Sequence, residues 1–224
     1  MKSYLIAVCT LLVFAIPSLG TAATGRPGPY FSAFLGTSFA RDVNVSGFDS
    51  FDSTSFNDQV TFDPGIYLGG TGGYDFGFLR LEGELSYRNA QLDKVTASAG
   101  ERFRNVDGDL GAFASMFNVF FDLHNASNVT PYLGGGIGFA TLHLSDTSGI
   151  NNVGRRVQLY DDSSDTVFAS QVGAGVDIAL NRNYSLDVGY RYFITEKANL
   201  EGDFISSNLR LESHNAMVGF KFKF

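Results

Sequence analysis

Tryptophan is absent from the 224 residues, cysteine occurs once and proline five times. The one cysteine, Cys9, lies inside an apolar segment at the N-terminus, so the chain beyond residue 23 has no thiol. Disulfides and cysteine-ligated metals are thereby excluded from that part. The three histidines, His124, His143 and His214, are scattered, and nothing in their spacing resembles a transition-metal site. No later run of about 18 apolar residues exists, which excludes a transmembrane helix. The net charge of −7 leaves no basic surplus to neutralise a phosphate backbone, so nucleic acid is not an expected partner. GGGIG (134–138) is no nucleotide loop, since neither Lys-Ser/Thr nor a helix follows it.

What is abundant is glycine and aromatics: 26 Gly, 22 Phe and 10 Tyr. The chain opens with MKSYLIAVCTLLVFAIPSLGTAA, a lone Lys2 followed by an apolar stretch and small residues. That layout predicts a secretory signal peptide over 1–23, with cleavage after Gly20, Ala22 or Ala23, and a single domain over 24–224. Cys9 sits too early in it, after bulky Val8, to be a lipid-attachment site.

The domain is a succession of two-residue periods. In FLRLEGELSYR (78–88), Leu79, Leu81, Leu85 and Tyr87 alternate with Arg80, Glu82, Glu84, Ser86 and Arg88. Such alternation predicts a strand with one apolar and one polar face. Seven further segments behave alike: 30–40, 64–74, 110–122, 131–144, 166–180, 184–194 and 208–224. Most run longer than the usual five or six residues and match the 9–11 that cross a bilayer at a tilt. Connections alternate between short (Asp75-Phe76-Gly77, 123–130, Asn181-Arg182-Asn183) and long (41–63, 89–109, 145–165, 195–207). The predicted fold is therefore all-β: an eight-stranded antiparallel up-and-down transmembrane barrel with short periplasmic turns and four long extracellular loops. The long connections carry all of the net negative charge, as loops in water can and a wall in hydrocarbon cannot.

In the last strand Val218, Phe220, Phe222 and Phe224 share one face, and Lys221 and Lys223 the other. GFKFKF resembles the C-terminal signal read by the bacterial barrel-assembly machinery, with Gly219, Phe222 and Phe224 as its marks. That resemblance implies aromatics toward lipid and lysines toward the lumen. The same polarity puts Phe31, Leu35, Phe117, Phe121, Ile137, Phe168, Val172 and Val188 outside, with Ile66 and Leu68 outside on the glycine-rich second strand. It puts a charge network inside: Arg80, Glu82, Glu84, Asp122, Asp177, Asp187, Arg191, Lys221 and Lys223. The bore of eight strands is only wide enough for its own side chains, so these charges must pair. Gly134, Gly136 and Gly138 face it and leave room for Tyr132 or Arg191.

The chain after residue 23 resembles the small outer-membrane barrels of the opacity-type and alphaproteobacterial surface-antigen family, OmpA-like in their eight strands. The resemblance rests on GYDFGFLRLEGELSYR (73–88), MFNVFFDLHNASNVTPYLGGGIGFA (116–140) and SLDVGYRYF (185–193). It implies export to the outer membrane of a Gram-negative bacterium, a lipid and lipopolysaccharide environment, and surface-exposed variable loops. It implies no single activity, because fold does not fix function.

The expected function is that of a monomeric surface protein, structural and adhesin- or antigen-like, whose lumen is mostly plugged by the charge network. The alternative is a small porin-like channel. Host or matrix partners are expected at 41–63, 89–109, 145–165 and 195–207, where Phe48, Phe51, Phe56, Phe103 and Tyr160 stand among polar residues. Acidic loop residues (Asp107 and Asp109; Asp161, Asp162 and Asp165) lack the spacing of a calcium loop, and no metal or cofactor is expected. Lipid A deacylases share the architecture, but His214 has Ser213 on the opposite face, so a Ser–His pair is not formed and no catalytic residue is assigned.

Overall fold

The computed structural model describes residues 27–49, 54–96, 102–123, 127–150, 154–160, 162–201 and 205–224. The expected signal segment 1–23, with Cys9, lies outside them, as do Phe51, His124 and Asp161 and the side chains of Phe48, Phe56, Phe103, Asp107 and Tyr160.

The described residues form thirteen strands and no helix: β1 (Gly28–Ala40), β2 (Val43–Asp49), β3 (Thr54–Asp63), β4 (Gly65–Asp75), β5 (Leu79–Thr96), β6 (Arg102–Asp107), β7 (Asp109–Asp122), β8 (Val129–Leu144), β9 (Thr147–Ile150), β10 (Arg156–Tyr160), β11 (Ser163–Ala179), β12 (Tyr184–Glu201) and β13 (Ile205–Lys223). Eight of them close on themselves in the antiparallel order β1–β4–β5–β7–β8–β11–β12–β13–β1. Closure leaves no free edge in the wall, which is what hydrocarbon requires of a sheet. The closing pair runs in continuous register from Tyr30 opposite Lys223 to Ala40 opposite Ser213.

Side-chain hydrogen bonds hold two of the short turns. Asp75 Oδ1 accepts from Gly77 N at 2.7 Å, and Gly77 takes a φ of +99° that a side chain would resist. Asn181 Oδ1 accepts from both Asn183 N and Tyr184 N at 2.9 Å.

The long connections depart from the expected loops. Within 41–63, 89–109 and 145–165 the chain forms β2, β3, β6, β9 and β10, while β5, β12 and β13 run past their predicted ends at 88, 194 and 208. The physical reason is a reversal of phase. Up to about Arg88, Met116, Gln171 and Asn215 the outward residues are apolar and the inward ones mostly polar, with Phe34, Phe120 and Met217 buried among them. Beyond, the inward positions are Leu92, Leu110, Leu142, Leu144, Leu200, Leu209 and Leu211, joined by Val45 and Val60 in one buried apolar cluster. The outward positions there include Gln59, Gln91, Asp109, Thr141, His143, Lys197 and Arg210. A polar exterior over an apolar interior is the ordinary arrangement in water. The barrel therefore has two tiers, one coated for lipid and one for water. A bulge between Ile194 and Lys197 resets the face of β12, so that odd residues point inward below it and even ones (Ala198, Leu200) above.

Candidate functional site

Outward apolar residues of the lower tier are exposed on the isolated chain: Phe117 by 55%, Ile137 by 57%, Val172 by 59% and Val218 by 51%. Leu79, Leu81 and Phe222 share that face with smaller exposure. Rings gather near the turn end of the wall, where Phe31, Phe222 and Phe224 lie with centroids 5.1–5.9 Å apart. Gly219 lies on the inward face, where an added Cβ meets Phe34.

Inside, the layers can be read upward from the short turns. At the mouth, Lys223 Nζ donates to Asp75 Oδ2 at 2.6 Å and Lys221 Nζ to Asp177 Oδ2. One layer higher, Arg80 Nε donates to Asp122 Oδ1 at 2.9 Å, Tyr30 Oη to Glu82 Oε2 at 2.5 Å, and Tyr132 Oη to Asp187 Oδ1 at 2.6 Å. Arg191 Nη2 lies 3.6 Å from Glu82 Oε1, and its guanidinium sits 4.4 Å above the Phe120 ring. Above these, Glu84 accepts from Tyr67 Oη (3.0 Å), Asn118 Nδ2 (2.9 Å) and Gln171 Nε2 (2.9 Å). Seven of the nine residues expected in the lumen are buried, and Asp177 and Lys223, at the mouth, are partly so. Five basic and six acidic side chains face the bore once Arg88 and Asp75 are added, so the charges nearly cancel within it. Such balance is what lets ionised groups stand in a low-dielectric space.

Glycines make the space. A Cβ on Gly175 or Gly189 would come within 2.6 Å of Tyr132 Oη, and one on Gly173 within 2.7 Å of Arg191 Cδ. Gly134, Gly136 and Gly138 do the same service for Phe120, Asn118 and Met116. The glycine run thus makes space for residues of β7, and not for Tyr132 or Arg191 as expected, which Gly175, Gly189 and Gly173 accommodate.

Two charged inward residues lie outside the expected network. Arg88, 1% exposed, lies between the rings of Tyr67 (4.9 Å) and Phe193 (3.6 Å); Nη2 donates to Ser86 Oγ, while Nε and Nη1 find no protein acceptor among the described residues. Its even position in the alternation was the available signal. Asp75, read as a turn residue, serves both the turn through Oδ1 and Lys223 through Oδ2.

On the outer wall, Ser213 is buried facing inward, and His214 faces outward with Tyr190 Oη against its Nδ1. The two side chains stand on opposite sides of the sheet.

These features, a closed eight-stranded wall with an apolar coat and an ionic bore, coincide with what comparison finds. A family model described as the outer membrane protein beta-barrel domain matches residues 6–224. The chain belongs to that family. Outer membrane protein PagN of Salmonella typhimurium is 26% identical over 247 aligned residues, covering all of both chains. Opacity protein opA57 of Neisseria gonorrhoeae is 24% identical over 187, covering 68% of this chain and 76% of that one. Among solved structures, OprG of Pseudomonas aeruginosa covers 91% of this chain and 99% of its own, at 17% identity and a TM-score of 0.58. Neisserial surface protein A covers 92% and 99%, at 21% and 0.50. The structural likenesses concern fold. The barrel is an outer-membrane protein, and its apolar coat is its lipid contact.

Proposed function

We propose that this barrel is a monomeric, non-catalytic surface protein that presents its extracellular tier to a host or matrix partner, while its bore stays closed. The observation that carries the reading is the buried apolar cluster above the membrane tier. It makes a shaped, folded platform of segments otherwise free to be flexible loops, and binding residues commonly sit on connections held by such a scaffold. The assignment of a non-catalytic role is supported by the separation of Ser213 from His214.

Closure is supported by the order of layers: paired ions at the mouth, the Tyr67–Arg88–Phe193 stack, then Leu142, Leu144 and Leu211. Water and ions crossing the bore meet an ionic layer first and an apolar one second. The second reading, a small channel, draws on the unpartnered N–H groups of Arg88 and Arg191, which favour water in the middle of the bore. Planar-bilayer recording of refolded protein separates the two, with conductance at the level of bare leak expected for the closed bore and discrete unitary steps for the channel. The surface role is tested by replacing 41–63 and 145–165 with short turns and measuring attachment of bacteria to host cells and matrix. Attachment unchanged in variants that still insert counts against it. Gly219, Phe222 and Phe224 are assigned to recognition by the barrel-assembly machinery, so Phe224 deletion should lower the amount of inserted protein without altering the fold of what does insert.

A further inference from the structure

We propose that Arg41 and His214, on the outer wall where β13 meets β12 and β1, form a binding site for the phosphate-bearing sugar headgroup of an outer-leaflet lipid. The proposal rests on the outer-membrane placement and is independent of the surface-interaction reading.

A hydrogen-bonded polar cluster interrupts the apolar coat at this place. Tyr190 Oη contacts His214 Nδ1, Tyr192 Oη donates to Glu212 Oε2 at 3.0 Å, and Arg41 Nη1 donates to the same oxygen at 2.9 Å. The ring of Tyr192 lies 5.1 Å from that of His214. Register sets the order: Phe39 and Tyr192 flank His214, and Ile194 lies opposite Glu212, one step higher. Arg41 N donates to Glu212 O, so Arg41 stands beside Glu212.

Height identifies the ligand's layer. His214 is ten residues above Phe224, an exposed ring at the turn end. At about 3.4 Å per residue and a tilt of about 40°, that is roughly 26 Å, the height of the apolar band of such barrels. His214 and Arg41 therefore meet the headgroups of the leaflet opposite the short periplasmic turns, which is the outer one.

Chemistry identifies its class. The Tyr190 hydroxyl engages Nδ1 of the imidazole, which leaves Nε2 as the polar atom of the ring that no described side chain is bonded to. Arg41 uses Nη1 on Glu212, but its side chain is 60% exposed and its other N–H groups are accessible. The guanidinium N–H groups not used on Glu212 suit a phosphate oxygen, and Nε2 of His214 stands on the same face to bind the headgroup beside them. Glu212, a quarter exposed, keeps Oε1 to accept a sugar hydroxyl or amide N–H. Tyr192 and Glu212 hold the cluster in place.

The test uses folded protein in detergent, titrated with bisphosphorylated lipid A and followed by native mass spectrometry. Wild type should retain the lipid, and the double variant Arg41→Ala/His214→Ala should retain it roughly tenfold more weakly, the loss of one or two charge-assisted bonds. Thr141→Ala, at a similar height on the far wall, should behave as wild type. Dephosphorylated lipid should bind wild type and double variant equally weakly. Equal retention of the bisphosphorylated lipid by both proteins overturns the site, as does undiminished binding of the dephosphorylated lipid to wild type. Binding of inorganic phosphate at the concentrations used for the lipid, without the lipid, overturns the lipid assignment. Heat-modifiable migration of each variant checks that the barrel is folded, so a failure of insertion is distinguished from a failure of this site.

Discussion

The two tiers of the barrel solve opposite problems with one backbone geometry. In the lower tier Leu85, Phe117 and Val218 point out and Glu82, Glu84 and Arg191 point in; in the upper tier Leu92, Leu142 and Leu209 point in and Gln91, Thr141 and Arg210 point out. The wall runs through both, since β5, β7, β8 and β13 each cross the boundary as continuous strands. What changes is the solvent, and the side-chain pattern changes with it. The lower interior is held by directional bonds between charges, the upper one by shape and apolar burial. Substitutions should therefore rank differently in the two.

The largest effect is expected where a buried ionic layer loses a partner. Glu84→Ala strands the Tyr67, Asn118 and Gln171 donors and a buried counter-charge, and should cost about 3–5 kcal/mol in reversible unfolding from lipid vesicles. A loss under 1 kcal/mol would show that the lower bore is wet enough to replace the carboxylate. Next comes Leu142→Ala in the upper core, at about 2–5 kcal/mol, smaller the further the cluster collapses into the space. Phe117→Arg at mid-wall should cost about 2–4 kcal/mol, whereas Thr141→Arg, outward but above the belt, should stay within about 0.5 kcal/mol. Equal costs at these two positions would erase the boundary. Smallest is Gln91→Lys, on the water-facing side of β5, expected to be neutral within about 0.5 kcal/mol in the same assay.

The lower tier could be read from the sequence because a period of two needs only one anchor to fix every face. Lys221 and Lys223 against Phe222 and Phe224 supplied that anchor, and FLRLEGELSYR followed by parity. Which charges pair was not legible. Arg80 takes Asp122, and Arg191 reaches Glu82, through a register that only the closed ring defines. The place of Arg88 is not legible because its neighbours are rings, Tyr67 from β4 and Phe193 from β12, and no charge complement marks them in the chain. The upper tier reads as loops in the sequence because its strands are short, rich in Ser, Asn and Asp, and inverted in phase. An amphipathic pattern scored for a lipid-facing coat reads there as polar chain. The bulge in β12 added a second shift that simple alternation cannot follow.

The most direct test of the inversion is a single-cysteine spin-label scan along β13, made straightforward because the one native cysteine is at position 9. In refolded protein in lipid vesicles, labels at 216, 218 and 220 should collide with oxygen and not with a water-soluble nickel chelate. Labels at 208 and 210 should show the reverse, and those at 209 and 211 should be shielded from both. Chelate access at 218 and 220, with oxygen contact at 209 and 211, would contradict the account.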